Sequence, residues 1–115
     1  MALCGYPVDI HDPSGAGGRT AEALPTANTY EIPYRVLVPR DLDDLLVAGR
    51  AVSATHEALG AIRVMPPCFA MGEAAGTAAA LSLETDCSPR AVPIAALHGR
   101  LRGAGAWLGE ARMEA

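Results

Sequence analysis

Three side chains with catalytic chemistry lie close together near the middle of the chain: His56, Glu57 and Arg63. An imidazole transfers protons near neutral pH, and a guanidinium binds anions at any physiological pH. We therefore predict His56 and Arg63 as catalytic residues. The alternatives are structural: His56 and Glu57 would order a loop, and Arg63 would form an ion pair with Glu57.

A second polar group, made of Asp9, His11 and Asp12, lies near the beginning of the chain. Three ligands within four residues of one extended segment do not converge on one ion. The three cysteines contain no CxxC pair, which is the usual spacing of a zinc site. We therefore predict no metal site. His11 could instead face a substrate cavity, whereas we expect His98 to lie in solvent.

The hydrophobic pattern of the sequence predicts the strands and helices that must position these side chains. Residues 30–39 are rich in β-formers and predict a strand, and the unbroken apolar run at 45–49 predicts a strand buried on both faces. Residues 51–62 are interpreted as a connecting loop. The pattern then becomes helical over 66–83, and a shorter amphipathic helix is predicted over 94–101.

The order strand, glycine, polar loop and helix is the informative unit. Gly49 ends the predicted strand and would let a ligand approach the backbone. A helix beginning near Pro66 would offer unpaired N–H groups and a partial positive charge, so the unit suits a negatively charged ligand. Gly72, Gly76 and Ala80 form one line of small side chains along this helix, which indicates either a closely approaching ligand or an ordinary helix–helix contact.

Composition limits the classes of function. The 115 residues allow one domain at most, and only 4% of them are aromatic, so the core is modest. The formal net charge of −4 disfavours a nucleic-acid partner. No run after Met1 has the form of a signal peptide, and Glu73 interrupts the longest apolar stretch. We predict a cytoplasmic protein with no nucleic-acid or membrane partner.

Residues 45–81 (LLVAGRAVSATHEALGAIRVMPPCFAMGEAAGTAAAL) resemble the C-terminal FAD motif of the FAD-dependent oxidoreductase family. Residues 30–39 (YEIPYRVLVP) resemble the strand leading into that motif, and residues 6–13 (YPVDIHDP) resemble a segment of the family's substrate-side region. The resemblance implies FAD as cofactor, with backbone contacts from Gly49, Arg50, Ala61, Ile62, Arg63, Val64 and Met65. It also gives Arg63 a third alternative, contact with a flavin carbonyl.

The resemblance implies an α/β fold, as the C-terminal fragment of a Rossmann-type FAD-binding fold. It divides the chain into a substrate-side irregular segment (1–29), a strand–strand–loop–helix unit completing the FAD domain (30–84), and a C-terminal helix and tail (85–115). No GxGxxG follows a strand, although this element holds the FAD pyrophosphate. We therefore expect the chain to be incomplete and inactive alone, with the rest of a flavoprotein and a small-molecule substrate as its partners.

The rival interpretation is a small non-enzymatic α+β interaction module whose alanine-rich helix binds another protein. Both interpretations leave the helix at 66–83 with an apolar surface that the chain itself does not cover. We therefore expect the isolated chain to be poorly soluble or to associate.

Overall fold

The computed structural model of the chain describes residues 1–11, 13–14, 19–20 and 29–109. Within these ranges the chain combines short β-strands with α-helices, which is compatible with the predicted α/β class. Asp12 and the end of the predicted tail after residue 109 lie outside the described residues.

The described strands form two antiparallel pairs. β1 (Ala2–Cys4) pairs with β4 (Tyr30–Ile32), and β2 (Asp9–Ile10) pairs with β3 (Arg19–Thr20). The segment predicted to be irregular over 1–29 therefore contains three short strands in its described part, and β1 is a neighbour of β4 rather than a separate unit.

The strand predicted over 30–39 is correct for its first residues only. Pro33, at φ −73°, has no N–H for the ladder and leads into a 3₁₀ turn at Tyr34–Leu37. The Tyr34 hydroxyl donates to the carbonyl oxygen of Pro89 at 2.7 Å, which holds the turn against a later part of the chain. Burial raises the pKa of the Tyr34 hydroxyl above its ordinary value, so this group stays protonated.

The apolar run at 45–49 is not a strand, and that prediction is wrong. Its backbone is extended at Ala48, and the Val47 N–H donates to the Leu37 carbonyl oxygen at 2.8 Å. A strand needs a neighbouring strand that completes the hydrogen-bond ladder, and none of the described strands lies beside this run. Gly49 then opens a 3₁₀ turn, Gly49–Ala51, with φ +72°, a conformation that glycine adopts without a steric penalty.

Residues 51–62 are also not wholly a loop, because they contain α1 (His56–Ile62). The Thr55 side chain caps this helix by accepting a hydrogen bond from the Ala58 N–H at 3.2 Å. Gly60 lies directly against β2: a Cβ there would meet both the Asp9 carbonyl oxygen and Cγ1 of Ile10 at 3.1 Å. The missing side chain lets α1 and β2 pack in close contact.

The two predicted helices are confirmed as α2 (Met65–Glu84) and α3 (Ile94–Gly103). α2 packs against β1, α3 and the Gly49–Ala51 turn. The fully buried large side chains at the centre come from the Tyr34–Leu37 turn, α2 and α3: Leu37, Met71, Leu97 and Leu101. None of the helices in the described ranges is long and apolar enough to cross a lipid bilayer.

α2 has two apolar faces on opposite sides. The packed face is buried against the rest of the chain and consists of Pro67, Met71, Ala74, Ala78, Leu81 and Ser82. The open face is exposed and consists of Met65, Phe69, Gly72, Gly76, Ala80 and Leu83. A Cβ added at Gly72 or Gly76 would meet no atom of the described chain within 4 Å, so the predicted line of small residues has no neighbour there.

Candidate functional site

The first candidate site is a cleft of about 490 Å³ at the N-terminus of α2, named the proline cleft. Its walls come from the end of β1 and from the first turn of α2: Leu3, Cys4, Gly5, Tyr6, Val64, Met65, Pro66 and Pro67. The volume falls within the range of sites that bind small molecules and cofactors, about 300–1,000 Å³. A mostly apolar wall beside a helix N-terminus suits a flat ring with one polar edge.

The N-terminus of α2 leaves two backbone donors beside this cleft. The first helical bond runs from the Cys68 N–H to the Val64 carbonyl oxygen, and neither Pro66 nor Pro67 has an N–H to donate. The N–H groups of Val64 and Met65 find no acceptor within the described part of the chain. The helix therefore offers a narrow pair of amides together with the positive end of its dipole.

Cys4 and Tyr30 fix the opposite wall of the proline cleft. The Cys4 thiol donates to the Ala61 carbonyl oxygen at 3.6 Å, which ties β1 to α1. The Tyr30 hydroxyl lies 2.9 Å from Cys4 Sγ and 3.0 Å from the carbonyl oxygen of Tyr6. Burial, followed by the contact with Cys4, raises the pKa of Tyr30 well above its ordinary range. The Tyr30 hydroxyl in this wall therefore stays protonated.

Two predicted cofactor residues, Gly49 and Arg50, lie near the beginning of α2. The turn that contains them packs against this helix, and Arg50 Nε donates to the Arg63 carbonyl oxygen at 3.0 Å. The turn and the start of α2 are thus brought together, although neither Gly49 nor Arg50 lines the proline cleft.

The remaining predicted cofactor residues separate into two groups. Val64 and Met65 line the proline cleft. Ala61 and Ile62 lie in α1 with buried side chains, and their carbonyl oxygens already accept the thiols of Cys4 and Cys68. Neither Ala61 nor Ile62 lines the proline cleft, so the backbone contacts predicted for them stay a prediction.

The second candidate site is a smaller cleft of about 80 Å³ between β2 and α1, named the arginine cleft. It brings together both predicted catalytic residues and residues from the segment at 6–13: Asp9, Ile10, His56, Leu59, Gly60 and Arg63. Arg63 is half-buried, and its Nη2 donates to the Asp9 carbonyl oxygen at 3.0 Å. This bond fixes the guanidinium at the wall of the cleft.

The ion pair between Glu57 and Arg63, one alternative drawn from the sequence, is not formed. Glu57 is exposed, and no ion pair in the described ranges includes Arg63. The carboxylate of Asp9 does not neutralise Arg63 either. Its Oδ2 accepts the Tyr6 hydroxyl at 3.4 Å and lies 3.8 Å from Nε2 of His11.

The two clefts adjoin each other along the chain. Arg63 lines the arginine cleft, and the next residue, Val64, lines the proline cleft. Tyr6 lines the proline cleft while its hydroxyl reaches the side chain of Asp9.

The two histidines outside the clefts have different surroundings. His11 is exposed beside Asp9, outside the set that lines the arginine cleft. His98 on α3 is half-buried rather than fully in solvent, and burial, followed by the positive charges of the N-terminus and Arg102, lowers its pKa. In the described ranges, no three metal-binding side chains come together.

The cleft walls at Leu3, Cys4, Gly5 and Tyr6 were not identified from the sequence. Their contribution depends on the pairing of β1 with β4 and on the packing of β1 against α2, which join distant parts of the chain. The local pattern around Cys4 carries no signal for either contact. The sequence segment at 6–13 was the nearest indication that the beginning of the chain reaches the site.

Comparison with known families assigns the chain. The model of the FAD dependent oxidoreductase family matches residues 1–101, and the chain belongs to that family. The predicted family is therefore confirmed, and FAD is the cofactor that membership implies. No curated protein and no solved structure matches the chain.

Proposed function

We propose that this chain supplies the flavin-ring end of an FAD site and that the complete enzyme transfers a hydride between a small-molecule substrate and FAD. FAD, when bound, supplies the hydride chemistry, and its reduced ring concentrates negative charge at the pyrimidine edge. The observation that carries the proposal is the proline cleft, where apolar walls meet the two free amides of Val64 and Met65.

The residues of the proline cleft fit the flavin ring in two respects. Pro66, Pro67 and Val64 offer an apolar surface for a flat aromatic system. The Val64 and Met65 N–H groups, at the positive end of a 20-residue helix, offer donors to a negatively charged ring edge. Because the two prolines contribute no N–H, the donors are confined to the very beginning of the helix.

The other predicted residues take roles around this cleft. Gly49 supplies the positive φ that the turn requires, and Arg50 holds the Arg63 carbonyl oxygen, so both position the backbone that enters the helix. Arg63 contributes its side chain to the arginine cleft, while its N–H donates to the Leu59 carbonyl oxygen and its carbonyl oxygen accepts Arg50 Nε. His56, also in the arginine cleft, is the proposed proton-transferring group on the substrate side.

The rest of the FAD site would come from a Rossmann-type part that carries the pyrophosphate-binding element. Two features of the chain support such a partner. The apolar run at 45–48 has no neighbouring strand among the described residues, and no described atom lies close to Gly72 and Gly76 on the open face of α2. We expect the isolated chain to bind FAD weakly, because the pyrophosphate contacts are missing.

The substitution Met65→Pro tests the proposal at a single donor. Proline is tolerated in the first helical turn, and Val64 already has the extended conformation that a residue before proline requires (φ −76°, ψ 161°). The variant removes one N–H with little change to the helix. Loss of a hydrogen bond to a charged group costs about 1.5–3 kcal/mol, so we expect the affinity for reduced FAD to fall about tenfold or more.

The matched control is Met65→Leu, which keeps the N–H and a side chain of similar size. Flavin fluorescence or absorbance titration, with FAD oxidised and then reduced under anaerobic conditions, measures both variants. Equal affinities of Met65→Pro and Met65→Leu for reduced FAD would contradict a flavin seated at this helix.

A further inference from the structure

We propose that the arginine cleft is a carboxylate-binding subsite, in which Arg63 holds a carboxylate group of the substrate. The inference rests on the function proposed above and assigns a substrate class to it: a small carboxylic acid that is oxidised or reduced next to the proline cleft. Arg63, His56 and the backbone at Asp9 form the subsite.

The charge of Arg63 is the first reason. Arg63 is half-buried, its guanidinium is held by the neutral Asp9 carbonyl group, and it takes part in no ion pair within the described ranges. Partial burial removes water from a charge and makes an opposite charge more favourable there. Only one of the five N–H donors of the guanidinium has an assigned acceptor, so the fork that matches a carboxylate is still available.

The size of the cleft is the second reason. Its volume of about 80 Å³ is well below the roughly 300–1,000 Å³ of sites that take a whole small molecule. That space holds one carboxylate group and an adjoining carbon rather than a whole substrate. Ile10 and Leu59 line the same space and would contact the apolar part of such a group.

The position of the cleft is the third reason. Arg63 and Val64 are consecutive residues that line different clefts, so a carboxylate held by Arg63 would lie one residue along the chain from the wall of the proline cleft. Gly60 contributes to this arrangement, since a side chain there would push β2 away from α1 and displace the Asp9 carbonyl group that fixes Arg63.

Acetate is the probe, and acetamide is its uncharged isosteric control. In NMR titrations of the chain, we expect acetate, but not acetamide, to shift the Nε–H resonance of Arg63 and the amides of Leu59 and Gly60. We expect Arg63→Gln to weaken acetate binding at least tenfold and Arg63→Lys to weaken it less, because lysine keeps the charge but lacks the planar fork. Arg35→Gln, at an exposed arginine outside both clefts, should leave it unchanged.

The wild-type titration alone can overturn the proposal, so it does not depend on the variants folding. Equal shifts at Arg63 and Arg35 would mean that acetate acts only as a counter-ion, and no shift at Arg63 would mean that there is no subsite. FAD added to the same sample separates the two proposals. Flavin shifts at Val64 and Met65 without acetate shifts at Arg63 would remove the subsite and leave the flavin seat. Acetate shifts without flavin shifts would remove the flavin seat and, with it, the assignment of Arg63 to a redox substrate.

Discussion

The two faces of α2 are both mostly apolar but have different surroundings. The packed face includes Met71, Ala74 and Ala78, which are fully buried against the rest of the chain. On the open face, Phe69 is 71% exposed and Leu83 is 85% exposed. A helix of an independent globular domain normally has one apolar stripe and one polar face, whereas α2 places Glu73 and Thr77 between two apolar faces.

This difference favours the proposal that another surface packs against the open face of α2. Its packed face contacts β1, α3 and the Gly49–Ala51 turn. On its open face, a Cβ at Gly72 or Gly76 would meet no atom of the described chain within 4 Å, so another surface could approach the backbone closely there. Family membership supports the FAD domain as that surface. The rival interpretation, a small interaction module, would use the same face. It gives no role to the proline cleft at the N-terminus of α2.

The largest expected effect is on the packed face. Met71→Ala removes a fully buried side chain and leaves a cavity, and we expect it to lower the free energy of unfolding by about 2–5 kcal/mol. Phe69→Ala, two residues away on the open face, should change it by less than about 0.5 kcal/mol. Denaturant unfolding of both variants measures the contrast. A comparable loss for Phe69→Ala would mean that the open face is covered in the isolated chain.

A second contrast compares an alanine-to-glycine substitution on the packed face with a glycine-to-alanine substitution on the open face. Ala78→Gly on the packed face should destabilise the chain by about 1–2 kcal/mol, since it adds backbone entropy to the unfolded state and removes a buried methyl group. Gly76→Ala on the open face should stabilise it by about 0.5–1 kcal/mol, because a Cβ there meets no atom of the described chain. Thermal unfolding compares the two, and a destabilising Gly76→Ala would reveal a neighbour at Gly76.

A third test concerns association rather than stability. Leu83→Glu places a charge on the open face and should reduce concentration-dependent self-association, with a change in stability of less than about 0.5 kcal/mol. Ala95→Glu adds the same charge at an exposed position of α3 and serves as the control. Sedimentation velocity at increasing concentrations measures both. Equal effects of the two variants would assign the association to net charge instead of the open face.

The smallest expected effect is the dependence of folding stability on alkaline pH that Tyr34 causes. The raised pKa of Tyr34 means that the folded chain keeps the hydroxyl proton at a pH where the unfolded chain loses it. The stability contributed by this group is therefore fully present below the unfolded pKa of 10.0 and decreases as pH rises from there through the folded pKa. Tyr34→Phe should flatten this part of the pH dependence. A slope unchanged by Tyr34→Phe would assign it to another group, such as Tyr30.

The sequence predicted the two long helices well because their signals are local. Prolines at the first turn and an unbroken series of helix formers define α2, and the spacing of Ile94, Leu97 and Leu101 defines α3. The strand at 45–49 was predicted from composition alone. Composition indicates burial, but a strand also requires a partner, and the identity of that partner is not written in the local sequence.

The prediction of a loop over residues 51–62 missed α1 for a different reason. Seven residues are few for a helix, and Gly60 weakens the pattern further. Thr55 was the available signal, because threonine is a favoured N-cap and its side chain does accept the Ala58 N–H. The absence of a side chain at Gly60 allows the close contact between α1 and β2. Only the tertiary structure reveals that contact.

The candidate site was predictable on one side only. Val64, Met65, His56 and Arg63 were selected from the loop and helix that carry the family motif, and they do line the two clefts. The opposite walls come from β1 and β2, which reach the site through contacts between distant parts of the sequence. The position of the Arg63 guanidinium in the arginine cleft likewise depends on its bond to the Asp9 carbonyl oxygen.

The most direct measurement is a map of flavin-induced amide shifts over the whole of α2. Our account predicts the largest shifts at Val64 and Met65 when FAD is added to the isotope-labelled chain, with progressively smaller shifts toward the C-terminal end of the helix. Shifts centred instead on Phe69, Gly72 and Gly76, with Val64 and Met65 unmoved, would mean that the aromatic ring merely adheres to the open face and would contradict a flavin seat at the proline cleft.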